Sequence, residues 1–252
     1  MTVRIAAVGD VHVGTDSAGR LAESFSTLDG CADMLLLAGD LTRIGSPDEA
    51  ACLVRELEDV TIPTVAVLGN HDLHSDQGDA LTSRLEAGGV TVLDGTSTVV
   101  DVNGITVGVA GVRGFGGGFA GRSASDFGEP EMKAFIRTTI RSAEQLQQAL
   151  TELHTDLRIA LLHYSPVPET LVGEPPEIFP FLGSYLLAEA IDRAGADLVL
   201  HGHAHRGRER GLTPGGVRVR NVAQPVIGAP FRVYELTPVT ALAGEPAQRS
   251  SM

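Results

Sequence analysis

Basic side chains are scarce in this chain. It carries 19 Lys and Arg against 32 Asp and Glu, for a formal net charge of −13 over 252 residues. Such a surface repels phosphate backbones, which argues against a nucleic-acid polymer as partner unless metal ions neutralise a site locally. Part of the acidity is available as carboxylate for a cation, and the rest serves solubility. Cysteine is nearly absent. Cys31 and Cys52 lie in apolar segments without CxxC spacing and read as small buried hydrophobes in a reducing compartment. Long apolar runs are also missing, and Asp10 interrupts the opening "MTVRIAAVGD" too soon for a signal peptide or a membrane span. The expectation is a soluble, cytoplasmic protein with no membrane partner. Oligomeric state is left open.

What the chain does have is 43% hydrophobic residues, 30 glycines and 13 prolines, the composition of a regular scaffold with elaborate loops. Apolar runs of strand length recur: "VRIAAVGD", "MLLLAGD", "TVAVLGN", "ITVGVAGV", "RIALLHY", "ADLVLHG", "VRVRNVA" and "FRVYEL". The early ones are almost continuously apolar, as strands covered on both faces are. Helical spacing marks "PDEAACLVRELEDV", "EMKAFIRTTIRSAEQLQQALTEL" and "LGSYLLAEAIDRAG", the last ending at a glycine suited to a C-cap. "VDVNGITVGV" reads as a hairpin turning at Asn103-Gly104. A single α/β domain over residues 1–240 is expected, with both parallel and antiparallel pairing and a frayed tail over 241–252. Two loops, 113–130 and 165–184, are long and rich in glycine or proline. Each is either a functional loop or an ordinary surface excursion.

The informative pattern lies at the strand ends. Asp10 and His12 follow the first strand, Asp40 the second, and Asn70 and His71 the third; His163 follows "RIALL", and His201, His203 and His205 follow "ADLVL". Parallel strands would gather these termini, and open α/β sheets bind ligands outside the carboxyl ends of their strands. Packing alone gives no reason to concentrate so many costly polar groups there. Carboxylates, imidazoles and one amide, without thiolate, suit Mn, Fe, Zn, Co or Ni and are poor for calcium. The ligands are too many for one tetrahedral ion. Two ions sharing a bridging carboxylate, about 3.5–4 Å apart, is the economical reading.

In order, "GDVH", "AGD", "GNHD", "LLHYSP" and "GHAH" make the chain resemble the calcineurin-like metallophosphoesterase superfamily, in its phosphodiesterase-like branch. The resemblance implies a four-layer α-β-β-α sandwich with two mixed β-sheets. It also implies two divalent transition-metal ions. Asp10, His12, Asp40 and His205 would hold the first, Asp40 would bridge, and Asn70, His163 and His203 would complete the second. A hydroxide between the ions would be the nucleophile. His71 would contact the phosphate and protonate the leaving oxygen, and Asp72 would hydrogen-bond the His71 ring. His203 and His205 would then serve different ions, which requires a turn at Gly202–Ala204. His201 would either orient a ligand or simply bond to backbone.

Around that frame other residues are weaker candidates. Asn221 would orient a ligand or cap a loop. Arg43 stands one position away from the arginine of the protein-phosphatase motif. Arg113 and Arg122 could meet a substrate phosphate, while His74 and His154 read as surface residues. The expected function is hydrolysis of small phosphodiesters or nucleotide-like phosphoesters, with a small phosphoester as the binding partner. A phosphoprotein phosphatase or nuclease is the alternative, and a non-catalytic scaffold a more distant one. The "GNHD" form and the missing "GD-x-x-D-R-G" favour the first.

Overall fold

The computed structural model describes residues 1–238. The expected tail beyond residue 240 lies outside them. One sheet contains β1 (Val3–Val8), β2 (Met34–Ala38), β3 (Thr64–Val67), β4 (Val90–Val92) and β13 (Arg232–Leu236), in the order β13-β1-β2-β3-β4. The other contains β5 (Thr96–Val102), β6 (Ile105–Val112), β9 (Leu157–Leu162), β10 (Leu198–His201), β11 (Arg210–Leu212) and β12 (Arg218–Asn221), in the order β11-β12-β10-β9-β6-β5. Both are mixed: β1 through β4 are parallel with β13 antiparallel at the edge, and β6, β9, β10 and β12 are parallel between antiparallel β5 and β11. A small hairpin pairs β7 (Gly118–Phe119) with β8 (Arg122–Ser123).

Period-two alternation explains the layers. Along β1 and β2, Val3, Ile5, Ala7, Met34, Leu36 and Ala38 meet Val107, Val109, Leu157, Ile159 and Leu161 of the second sheet. Their neighbours Ala6, Val8, Leu35 and Leu37 face the other way, onto the helices Pro47–Glu56 and Gly78–Ala87. The second sheet's outer face carries the helices Pro130–Thr151 and Tyr185–Ala194 through Leu146, Leu150, Leu187 and Ile191. The result is the four-layer sandwich that the resemblance implies, with the mixed pairing that the strand pattern predicts. Among the described residues no helix is long and apolar enough to cross a membrane.

Local signals behave as their chemistry dictates. Asn103 and Gly104 both have positive φ, 53° and 84°, and close the β5–β6 hairpin with Val102 opposite Ile105. Gly195 ends its helix at φ 82°. Ser46 caps Pro47–Glu56 by accepting from the Glu49 N–H. Several elements escape the sequence pattern, among them one full-length helix and one edge strand. The helix Gly78–Ala87 buries only Leu81 and Leu85, and β11 is a largely exposed edge strand.

The loops 113–130 and 165–184 form one joint structure. Gly117 and Gly118 donate to the carbonyls of Pro180 and Gly183 at 2.7 and 2.9 Å, and Phe119, Leu171 and Leu182 share a small apolar cluster. The two loops therefore make a single wall beside the carboxyl ends of the second sheet.

Leu36 is fully buried between the sheets. Leu36→Ala should cost about 2–5 kcal/mol, because the sandwich cannot close over the cavity. Urea unfolding measures it as a fall in midpoint at unchanged slope.

Candidate metal centre

The chain leaves its strands in an uncommon conformation at this end of the molecule. Asp10, His12, Asp40 and His203 all have positive φ, at 57°, 44°, 49° and 69°. Such non-glycine residues cost about 1–3 kcal/mol each and persist only where their surroundings over-determine them. Here the surroundings do. Asp10 N–H donates to the Gly39 carbonyl at 2.9 Å, His12 N–H to that of Asp40 at 3.1 Å, and Val13 N–H to that of Leu41 at 2.9 Å. Two glycines give the carboxylates room. A Cβ on Gly69 would stand 2.1 Å from Asp40 Oδ1, and one on Gly202 would stand 2.2 Å from Asp10 Oδ2.

Two groups of ligand-type atoms result, each drawn together to within 4.8 Å. The first comprises Asp10, His12, Asp40 and His205; the second comprises Asp40, His163 and His203. Asn70 joins the second, its Oδ1 lying 3.0 Å from His163 Nε2. Asp40 is common to both. All seven residues that the strand-end pattern and the motifs single out as ligands are thus brought to one place.

The donor chemistry fits cations. His163 Nδ1 donates to the Ala38 carbonyl at 2.9 Å, so its Nε2 presents a lone pair toward Asn70 Oδ1. Two acceptors facing one another at that range are accommodated by a cation that both coordinate. His12 Nε2 is buried with no hydrogen-bond partner, 3.9 Å from Asp40 Oδ2. A buried ring nitrogen without a partner is costly unless something coordinates it. His203 Nε2 donates to the Phe181 carbonyl at 3.2 Å, which leaves Nδ1 as its lone-pair atom. Its backbone N–H donates to both Asp10 carboxylate oxygens, at 3.0 and 2.9 Å.

Burial sets the protonation of the cluster. It pushes His12 down to about 4 and both His163 and His203 down to about 3, so these rings are neutral at physiological pH. Burial raises Asp10 to about 6 against the pull of the His205 ring 2.8 Å away, and that same contact raises His205.

Other expectations resolve individually. Asp72 does not meet the His71 ring. Its fully buried carboxylate accepts from the N–H groups of Leu41, Thr42 and Gly69 at 3.1, 2.8 and 2.8 Å and from the Thr42 hydroxyl at 2.7 Å. The residue after His71 is spent on tying the β2 and β3 loops together. His71 is half-buried; its Nδ1 bonds the Arg43 carbonyl at 2.8 Å and its ring lies 4.5 Å from that of His12. The Arg43 guanidinium turns outward to Asp16 at 2.7 Å. Asn221 caps a loop, donating to the Ala204 carbonyl at 2.8 Å and accepting from Ala223 N–H at 3.0 Å. Arg113 is half-buried beside the Phe115 ring, while Arg122, His74 and His154 are exposed.

His201 ends β10, and the chain then turns, so the three histidines do not line up. His201 is fully buried; Nδ1 donates to the Gly202 carbonyl at 2.8 Å and Nε2 accepts from the Thr170 hydroxyl at 2.9 Å. It therefore ties the 165–184 loop to the turn that carries His203. Thr170 is the functional neighbour that sequence reasoning missed, because nothing in a lone threonine 31 residues away marks that contact.

The sequence profile of the calcineurin-like phosphoesterases matches residues 3–207. A probable cyclic nucleotide phosphodiesterase of Synechococcus sp. is 34% identical over 82 residues, which is 29% of this chain and 32% of that protein. The match thus spans about a third of the relative's length. The phosphopantetheinyl hydrolase of Mycobacterium tuberculosis superposes with a TM-score of 0.69 at 15% identity, over 91% of this chain and 95% of that one. The anchor in the inner membrane complex of Plasmodium superposes with a TM-score of 0.60 at 13% identity, over 94% and 81% of the two chains. At such identities what is shared is the fold.

The burial of these groups makes stability depend on pH. His12, His163, His201 and His203 have folded values lowered to about 4, 3, 4 and 3 from 6.5. As pH falls below 6.5 the unfolded chain binds these protons first, so stability is lost between about 6.5 and 4. Asp10 and Asp72, raised to about 6 from 3.8, act in the opposite sense between 6 and 4, and His205, raised by its bond to Asp10, does so above 6.5. Four imidazoles outweigh these three groups. The metal-free chain should unfold at lower urea at pH 5 than at pH 7.5, by circular dichroism.

Proposed function

The chain belongs to the calcineurin-like phosphoesterase family, and we propose that it is a metal-dependent phosphohydrolase that cleaves small phosphodiesters or nucleotide-like phosphoesters at a two-metal centre. One observation carries this reading: the two ligand groups share a single buried carboxylate, Asp40. Asp10, His12, Asp40 and His205 hold one ion, and Asp40, Asn70, His163 and His203 the other. The mixed nitrogen and oxygen donor set suits Mn, Fe, Zn, Co or Ni. When bound, two such cations supply charge to the phosphoryl oxygens and activate water as the nucleophile.

The chain's own residues supply orientation and a proton. Ala38 and Phe181 carbonyls fix the tautomers of His163 and His203, so each ring presents an acceptor to the centre. The Arg43 carbonyl anchors His71 Nδ1 and leaves Nε2 to pass a proton to the departing oxygen. Fold alone does not make an enzyme, since a relative of similar fold bears the name of an anchor. The presence of both ligand groups and of His71 supports an enzyme over a scaffold. The preference for a small diester draws support from the partial match to a protein named as a cyclic nucleotide phosphodiesterase.

The purified chain should carry about two transition-metal ions and turn over bis(p-nitrophenyl) phosphate with manganese, and Asp40→Asn should lower occupancy at both positions. Elemental analysis reads the stoichiometry. Metal-free protein that manganese fails to activate would sink the proposal.

His71→Ala should keep its metal and lose about 10²–10⁴-fold in kcat on esters with alkoxide leaving groups, with a much smaller loss on p-nitrophenyl esters. Asp72→Asn should instead destabilise the fold, leaving the ratio between good and poor leaving groups unchanged. Equal His71→Ala losses on both ester classes would remove the proton-donor role.

A further inference from the structure

Aromatic side chains are few, 8 Phe and 3 Tyr in the whole chain, yet their distribution is uneven. Phe115, Phe119, Phe127, Phe179 and Phe181 lie in the loops 113–130 and 165–184, and Phe135 lies on the helix that follows the first loop. Where these segments meet they border an open cavity of about 760 Å³ lined by Met132, Phe135, Pro180 and Phe181, with Arg122, Ser123 and Glu131 on its polar side. Two large apolar side chains of this wall are exposed: Phe181 at 61% and Met132 at 44%. A cluster of that kind on an otherwise acidic surface marks a binding surface.

The cavity shares a wall with the metal centre. The Phe181 carbonyl accepts from His203 Nε2 at 3.2 Å, while the Phe181 side chain lines the cavity. A run of ring contacts also connects the two. His203 to Tyr164 is 4.3 Å between centroids, Tyr164 to Phe115 5.7 Å, Phe115 to Phe135 5.0 Å and Phe135 to Phe181 6.2 Å. Phe135 and Phe181 meet edge to face at 79° and so form no parallel slot for a flat heterocycle. Their arrangement suits a flexible hydrocarbon.

We propose that this cavity receives the alkyl chain of an amphiphilic phosphoester whose phosphoryl group sits at the metal centre. The inference deepens the phosphoesterase reading and rests on it. An ester of this class has a charged head that the centre takes and a tail that the aromatic wall removes from water. The wall thereby selects among phosphoesters that the metal ligands alone would treat alike.

The test uses the full chain loaded with manganese and the p-nitrophenyl diesters of ethyl, butyl and hexyl phosphate, which share a leaving group and differ in one alkyl arm. Turnover of the ethyl ester reports the phosphoesterase reading by itself. Each methylene fully removed from water contributes about fourfold, so kcat/KM should rise roughly tenfold or more from ethyl to hexyl. In the double variant Met132→Gln, Phe181→Ser the hexyl-to-ethyl ratio should fall toward one, with metal content and urea midpoint showing that the protein is folded. Titration calorimetry of ethylphosphonate and hexylphosphonate follows binding without turnover and should show the same preference in the native chain. A flat series with ethyl-ester turnover intact overturns the proposal. So does preference for thymidine 5′-p-nitrophenyl phosphate over the hexyl ester, which would assign the wall to a nucleoside. Sedimentation with phosphatidylcholine vesicles, or self-association, that the double variant abolishes while the native alkyl series is flat would assign it to a membrane or a second copy. If no ester turns over but hexylphosphonate keeps its advantage, the phosphoesterase reading fails and the apolar site stands.

Discussion

The two ligand groups meet at one carboxylate, and the placement of Asp40 is the constraint on which the site depends. Asp40 leaves β2 at φ 49°, directly after Gly39 at φ 79°. That left-handed turn carries its side chain toward the gap between the sheets instead of onward along the strand. The His71 N–H then holds Oδ1 at 2.8 Å. Gly69 keeps the approach open, since any side chain there would collide with the carboxylate. Strain at Asp40 is meaningful only because the strand behind it cannot yield. Met34 through Ala38 are completely buried, locked between helices on one face and the second sheet on the other.

The ligands also hold the two sheets together at this edge. His163, from the second sheet, donates to the Ala38 carbonyl of the first. His203 N–H, also from the second sheet, donates to Asp10 of the first. Gly9 N–H, at the end of β1, donates to the Val222 carbonyl at the end of β12 at 2.9 Å. Polar side chains that would weaken an ordinary core here serve as ties across the sandwich, each with a partner from the other layer. The geometry of the candidate metal centre and fold closure at this edge therefore rest on the same bonds.

Much of this was legible in the sequence because the ligands follow apolar runs immediately. Strand ends are places where a short chain segment fixes position, so "GDVH", "AGD", "GNHD" and "GHAH" carry their location with them. The layers were legible for a related reason: Ile5 and Ala6, or Leu35 and Leu36, take opposite faces by the period of two. What was not legible depends on contacts between distant segments. Asp72 adjoins His71 in sequence and invites pairing with it. Its actual partners, Leu41 and Thr42, are supplied by a loop about 30 residues earlier. The His201 bond to Thr170 and the docking of the two long loops are of the same kind. The helix Gly78–Ala87 was missed for a different reason, since two buried leucines leave almost no periodic signal.

Charge within the site resolves an apparent conflict with the chain as a whole. A protein of net charge −13 is an unpromising host for an anionic ester. The centre, however, contributes only two carboxylates, Asp10 and Asp40, beside four imidazoles and one amide. Burial keeps His12, His163 and His203 neutral, so these rings offer lone pairs without adding or repelling charge. Two carboxylates against the two proposed divalent cations would leave a surplus of positive charge at the centre. Had the same positions been filled by Asp or Glu, the ions would be held more tightly and the surplus would vanish. The abundance of histidine at these strand ends would thus have an electrostatic consequence as well as a coordinating one: it would hold metal while leaving the metal's charge available to a phosphoryl group.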